Sequence, residues 1–239
     1  MSAEAASTAD RPVLAEAAAI PWRRRTTERT LRRDGRRWTL WTSGVVLTFA
    51  GPAAVLIWLE PLTIPAAAFW FAHGVAVTHM QARRGARSVV PIGSERSAAW
   101  KPVPDGPGRE AEEPSPDEVA LGLLGDLIGH EERDLLKETG LALQRGRLGV
   151  WLVGEEGAIL VRPGGRRVYC HCVRVSEVGD LPAGDRVAHL LLALREDEEG
   201  FGTVANINFS GGARRVRRRL PKRSRPAFDR ARQLAQLQE

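Results

Sequence analysis

Two cysteines and five histidines carry most of the nucleophilic and metal-ligating chemistry open to this 239-residue chain. Cys170-His171-Cys172 sets two thiols and an imidazole in consecutive positions. Side chains alternate along an extended strand, so both thiols share one face and the imidazole takes the other. The three can meet on one metal ion only across a bulge. The chain has no second cysteine pair, and His130 or His189 would have to complete the ligand set. Two cysteines inside an apolar strand read most simply as small core residues. A catalytic thiolate would need a stabilising neighbour that the sequence does not identify. The expectation is no catalytic residue, no bound metal and no cofactor; an enzyme working through Cys170, Cys172 or a nearby histidine is the alternative.

The other polar candidates are weaker. His73 and His79 fall in an apolar stretch, where ionisable groups are functional candidates by default. His79 lies near the end of that stretch and can reach the interface, and His73 has no titratable partner within it. Ser210-Gly211-Gly212 lacks the glycine spacing and lysine of a phosphate loop and reads as a turn. Glu196, Asp197, Glu198 and Glu199 read as a solvated loop.

The charge pattern says more. The chain holds 32 Arg against 3 Lys and a net charge of +6, with a pI near 10.2. The arginine skew, with abundant alanine and glycine, points to a GC-rich bacterial genome. Basic runs repel themselves unless solvated or neutralised. Contact with a polyanion is expected from Arg23, Arg24, Arg25, Arg32, Arg33, Arg36 and Arg37. A second run holds Arg214, Arg215, Arg217, Arg218, Arg219, Lys222, Arg223 and Arg225. Anionic lipid is the favoured partner. Nucleic acid comes second, because no aromatic residues interleave the second run to stack on bases. A solvated surface paired with the acids at 196–199 is the plainer alternative.

The elements that must position these groups begin with an apolar pair. Residues 38–59 contain no charged side chain, nor do residues 61–82, and Glu60 alone interrupts them. At 1.5 Å per residue the first covers about 33 Å and residues 62–80 about 28 Å, against a hydrocarbon core of about 30 Å. Glu60-Pro61 should mark the reversal, since proline denies the helix an amide and pushes its predecessor out of the helical region. Pro65 suits a first helical turn, and Pro52 falls where a kink is tolerated. Trp38, Trp41, Trp58 and Trp70 fall towards segment ends, as interfacial aromatics do. Arginines crowd residues 23–37 before the pair, and Arg83, Arg84 and Arg87 follow it, which places both ends in the cytoplasm. The apolar run starts too late and is too long for a secretory signal. So long a stretch with one charge is also long for the core of a soluble protein.

Residues 1–20 lack a packed pattern. Residues 23–37 suit a basic helix lying on the inner leaflet. Residues 86–115 hold five prolines and read as a linker reaching roughly 30 Å, which would leave the following domain loosely tethered. Ser115-Pro116-Asp117-Glu118 starts a helix, and a second over 131–138 ends at Gly140. Strands follow at 150–153, 158–161 and 168–175, with turns at Glu155-Glu156-Gly157 and Pro163-Gly164-Gly165. Val187, Leu190, Leu191 and Leu194 mark a helix over 182–196, with a strand as the competing reading. Residues 203–209 alternate as a strand. Ser224 and Pro226 start a last helix that buries Phe228, Ala231, Leu234 and Ala235.

Helix, three strands, helix, strand is also the order of many metal-dependent nuclease cores. The acid and Glu-x-Lys set those cores need for a divalent metal is absent from Val161-Arg162-Pro163 and Tyr169-Cys170-His171-Cys172. The expected fold is a membrane α-helical hairpin of two transmembrane helices plus a cytoplasmic α+β domain with a mainly antiparallel sheet. It divides at residues 1–37, 38–82, 83–114 and 115–239. The expected role is binding or scaffolding at a bacterial inner membrane, with anionic lipid as partner.

Overall fold

A computed structural model describes residues 14–18, 23–90, 116–173 and 181–238. The expectations for residues 1–13, for most of the linker and for the end of the third strand lie outside the described residues. In chain order the elements are α1 (Ala15–Ala18), α2 (Glu28–Leu59), α3 (Ile64–Arg87), α4 (Pro116–Leu127), α5 (His130–Thr139), β1 (Ala142–Arg145), β2 (Val150–Gly154), β3 (Gly157–Val161), β4 (Arg167–Cys172), α6 (Ala183–Glu196), α7 (Glu198–Val204), β5 (Asn206–Gly212), α8 (Ala213–Arg217) and α9 (Arg225–Gln236).

The two apolar stretches form a helical pair, α2 and α3, reversing through a 3-10 turn at Pro61–Thr63 with Pro65 in the first turn of α3. α2 starts well before the uncharged stretch because Thr27 caps it. The Thr27 hydroxyl accepts from the Thr30 amide at 3.3 Å, and the Thr30 hydroxyl accepts from the Thr27 amide at 2.8 Å. No breaker follows before Pro52, and the helix runs through it. The arginines at 29–37 therefore stand on the same helix as the apolar stretch, which corrects the expectation of a separate helix along the leaflet. Both α2 and α3 are long and apolar enough to cross a membrane. Only 6% of the most apolar window of α2 and 11% of that of α3 are buried within the chain, unlike the core helices of a soluble protein. Small residues let the pair approach. A Cβ on Gly74 would stand 2.8 Å from the Cβ of Phe49, and Ala53 and Ala67 are buried.

The C-terminal domain holds a five-stranded, wholly antiparallel sheet in the order β1-β2-β3-β4-β5. Helices cover both of its faces, so β2 and β3 are buried throughout. On one face Leu152, Ile159, Val161 and Cys170 pack with Val216 of α8 and Phe228 of α9. On the other, Trp151, Leu160 and Tyr169 pack with Leu124 of α4 and Leu191 of α6. Residues 183–196 are the helix, not the strand. α5 ends at Gly140 in the left-handed region, φ 71°, which glycine adopts without steric cost.

Three expectations for this domain change. β1 was not foreseen, being too short to show alternation. Of the acids at 196–199, Glu196 is exposed at the end of α6, and the other three are structural rather than a solvated loop. Asp197 caps α7 by accepting from the Gly200 amide at 2.8 Å. Glu198 accepts from the amides of Arg147 and Leu148 and from Trp151 Nε1, at 2.8, 3.0 and 2.6 Å. Ser210-Gly211-Gly212 continues β5 instead of turning, pairing with Tyr169, Val168 and Arg167.

The largest correction concerns the tether. The helical pair is docked directly on the domain, straddling β5, the last strand of the sheet. α2 crosses on the Tyr169 face, where Leu31 is fully buried and the Tyr169 hydroxyl donates to the Leu31 carbonyl at 2.5 Å. A Cβ on Gly35 would lie 2.5 Å from that hydroxyl. α3 crosses on the Cys170 face, where Ala82, Ala86, Val89 and Val90 join the core and a Cβ on Gly85 would collide with Phe209.

Candidate membrane-surface site

The Cys-His-Cys run does not converge on one point: Cys172 lies half-buried at the end of β4. Cys170 is fully buried, and burial pushes its thiol up to about 12, so it holds its proton and meets no solvent. A bulge does interrupt the β4–β5 register, but it lies in β5: Cys170 pairs with Phe209 and His171 with Ile207, leaving Asn208 as the extra residue. β4 keeps its alternation against β3, so His171 faces Trp151, ring centroids 5.2 Å apart, away from Cys170. Among the described residues no group of three His, Cys, Asp or Glu could hold a metal. His73 Nδ1 lies 3.0 Å from the Phe69 carbonyl of its own helix, which satisfies it locally.

His171 has a thermodynamic signature instead. Both ring nitrogens are buried without a hydrogen-bond partner, and burial pushes its pKa down from 6.5 to about 4. The unfolded chain binds the proton first. Stability is therefore independent of this group above pH 6.5 and is lost as pH falls from 6.5 towards 4. The loss between pH 7.5 and 5 should be about 2 kcal/mol. Denaturant unfolding of the full chain in neutral detergent should show it, and His171→Leu should abolish most of it. An unchanged pH slope in that variant would assign the loss elsewhere.

The expected basic residues divide by what they touch. Arg23 donates to the Thr203 and Val204 carbonyls and to Asn206 Oδ1, at 3.1, 3.2 and 2.7 Å. Arg25 pairs with Asp197 at 2.5 Å and Glu199 at 3.6 Å, and Arg147 also meets Glu199. Those acids thus pair with the N-terminal segment and the β1–β2 loop instead of with residues 214–225. Arg32 and Arg162 share Glu28, at 2.7 and 2.8 Å, and hold its carboxyl below the usual range. Arg217 grips Asp229 through a fork of hydrogen bonds, the shortest 2.7 Å, and holds that carboxyl low. Arg225 donates to the Leu220 carbonyl at 3.3 Å, and Arg223 lies in the 3-10 turn before α9. Arg219 reaches His79 on α3. Arg24, Arg33, Arg36, Arg37, Arg214, Arg215, Arg218 and Lys222 form no ion pair with the described residues.

Tertiary structure gathers several of these at one level, where α2 and α3 leave the domain. Trp38 begins the uncharged stretch and packs on Phe209, centroids 5.9 Å apart, with Trp41 edge-on at 6.3 Å. Three cavities meet at Trp38. One of about 480 Å³ is walled by Arg37, Trp41, Gln81, Arg84 and Asn208. One of about 450 Å³ sets Arg166, Arg167 and Arg215 against the first hydroxyls of the α2 apolar stretch. A third, of about 600 Å³, lies between residues 23–26 and the start of β5, with Arg23, Arg24 and Arg37 beside Asp34. Arg166 and Arg167 escaped the sequence reading because they follow a turn with no basic run around them. Only the sheet brings them to α2.

No protein-family model, curated protein or solved structure matches the chain. The class is therefore defined by its own architecture: a two-helix apolar hairpin locked onto an antiparallel α+β domain, with arginines and tryptophans collected at the junction.

Proposed function

We propose that this chain is a membrane-anchored binding or scaffold protein of a bacterial inner membrane. In this reading α2 and α3 cross the bilayer, both termini stay in the cytoplasm, and the basic groups at the junction contact anionic lipid. The observation that carries it is a coincidence of level. The uncharged stretch, the Trp38 and Trp41 rings, and the arginines Arg37, Arg84, Arg166 and Arg215 converge at the junction. Tryptophan and arginine at the end of an apolar helix suit a headgroup region, and each arginine near an anionic surface contributes up to about 1 kcal/mol. Beyond that level Leu40, Leu47, Trp58, Phe69 and Phe71 are exposed, a contiguous apolar surface that needs an apolar solvent. Binding is favoured over catalysis because the Cys170 thiol is sealed in the core and His171 stands alone on the opposite face.

Reporter fusions at residues 20 and 100 should both report cytoplasm, with a label at Glu60 reached only from outside. An extracytoplasmic signal from either fusion overturns the topology. The full chain should also melt at higher temperature in anionic than in neutral vesicles, and the gain should shrink with added salt. Equal melting in both vesicle types would remove the lipid contact.

A further inference from the structure

We infer that the cavity of about 450 Å³ beside α2 is a binding site for the phosphate of an anionic glycerophospholipid. This deepens the membrane reading above and rests on it.

The cavity has the chemistry of a phosphate receptor. Arg166, Arg167 and Arg215 line it, and no Asp or Glu does. None of the three has a carboxylate partner among the described residues, whereas Arg162 and Arg217 nearby are neutralised by Glu28 and Asp229. Three uncompensated guanidinium groups on one wall repel one another, and a bound anion relieves that repulsion. The site is also organised in advance. Arg167 Nε donates to Ser210 Oγ at 3.2 Å, and its Nη2 donates to Thr39 Oγ1 at 2.9 Å and to the Gly35 carbonyl. That holds the guanidinium plane in place as a fixed positive charge, and the two Nη1 hydrogens, which none of these bonds uses, are the donors left for a phosphate oxygen. Arg166 and Arg215 are exposed at the rim and can close on a ligand. The volume falls within the usual range for small-molecule sites, roughly 300–1,000 Å³.

Depth selects a lipid over a soluble anion. The α2 wall is Trp38, Thr39, Thr42 and Ser43, the opening residues of the uncharged stretch. One helical turn further on, Val46 and Leu47 stand three and four residues beyond Ser43, on the same face, and they are 40% and 68% exposed. A phosphate in the cavity would therefore have its glycerol at the hydroxyl level and its acyl chains on an open apolar helix face.

The test uses the full chain in neutral detergent micelles, with thermal unfolding as readout. Short-chain phosphatidylglycerol should raise the melting temperature and saturate, and phosphatidylcholine of the same chain length should not. Arg166→Gln with Arg215→Gln should weaken the apparent affinity about tenfold or more, while Arg145→Gln with Arg230→Gln, away from the cavity, should leave it unchanged. Arg215→Gln alone, which removes no hydrogen bond of the fold, gives the same readout if the double variant does not fold. Stabilisation by phosphatidylglycerol that survives the cavity variants overturns the site but leaves the wider lipid contact standing. No preference for phosphatidylglycerol in the wild type overturns both. Equal stabilisation by inorganic phosphate at the same concentration shows a soluble-anion site and overturns the lipid assignment.

Discussion

Residues 115–239 expressed without the helical pair should aggregate instead of folding cooperatively. The pair supplies part of the domain's own core: Leu31, Ala86 and Val89 are fully buried, and Ala82 and Val90 nearly so. Burying one leucine fully contributes about 1.5–3 kcal/mol. Deletion also strips the Leu31 carbonyl from the buried Tyr169 hydroxyl and the Gly35 carbonyl and Thr39 hydroxyl from Arg167. A buried polar group left unpaired costs about 1–3 kcal/mol. Together these losses rival the 5–15 kcal/mol, roughly, that hold an ordinary domain, and they expose apolar surface on both faces of the sheet at β5. Solubility in detergent-free buffer and the cooperativity of a near-ultraviolet circular dichroism melt are the measurements. A chain that keeps residues 23–42 and 78–239 but replaces the apolar part with a short soluble hairpin should recover the fold. A soluble, cooperatively melting 115–239 fragment would show that the helix ends dock onto a finished domain.

Arg186→Met should be among the most damaging single substitutions in the domain. Arg186 on α6 and Glu155 in the β2–β3 turn meet at 2.8 Å with side chains only 3% and 4% exposed. The pair pins the helical layer to the sheet at the β2–β3 turn. Removing the arginine takes from the buried Glu155 the cation 2.8 Å away, and breaking a buried pair in this way costs about 3–5 kcal/mol. Replacing both residues, Arg186→Met with Glu155→Leu, should restore most of that loss, because two apolar side chains of similar volume carry no desolvation penalty. Denaturant unfolding of the full chain in neutral detergent reads both variants. A single-variant cost below about 1 kcal/mol, or a double variant no more stable than the single, would show that the pair is not what fastens α6.

The sequence by itself determined the helical pair and most of the local elements. An uncharged stretch is a property of a short window, and Glu60-Pro61 supplies its own turn chemistry, so neither needs a distant partner. The same holds for the turns at Glu155-Glu156 and Pro163-Gly164-Gly165, for the 3.6-residue spacing of Val187 to Leu194, and for Gly140 at the end of α5. The alternation that parts Cys170 from His171 was equally local, and β3 pairing preserved it.

Tertiary structure decided everything that depends on contacts between residues far apart in the chain. Residues 196–199 are acidic in any solvent, and only the fold turns Asp197 into a helix cap and Glu198 into the acceptor for the 147–148 loop. Ser210-Gly211-Gly212 has turn composition, and ladder bonds to β4 override it. Proline content made residues 86–115 read as a loose tether, yet Gly35 and Gly85, which carry no periodic signal, let α2 and α3 close on either side of β5. The candidate lipid site has the same origin. Three of its hydroxyls come from α2 and one, Ser210, from β5; Arg166 stands just before β4, Arg167 opens it, and Arg215 comes from α8. Charge runs are visible in one dimension, but whether each charge is neutralised depends on which carboxylate the fold brings within about 4 Å.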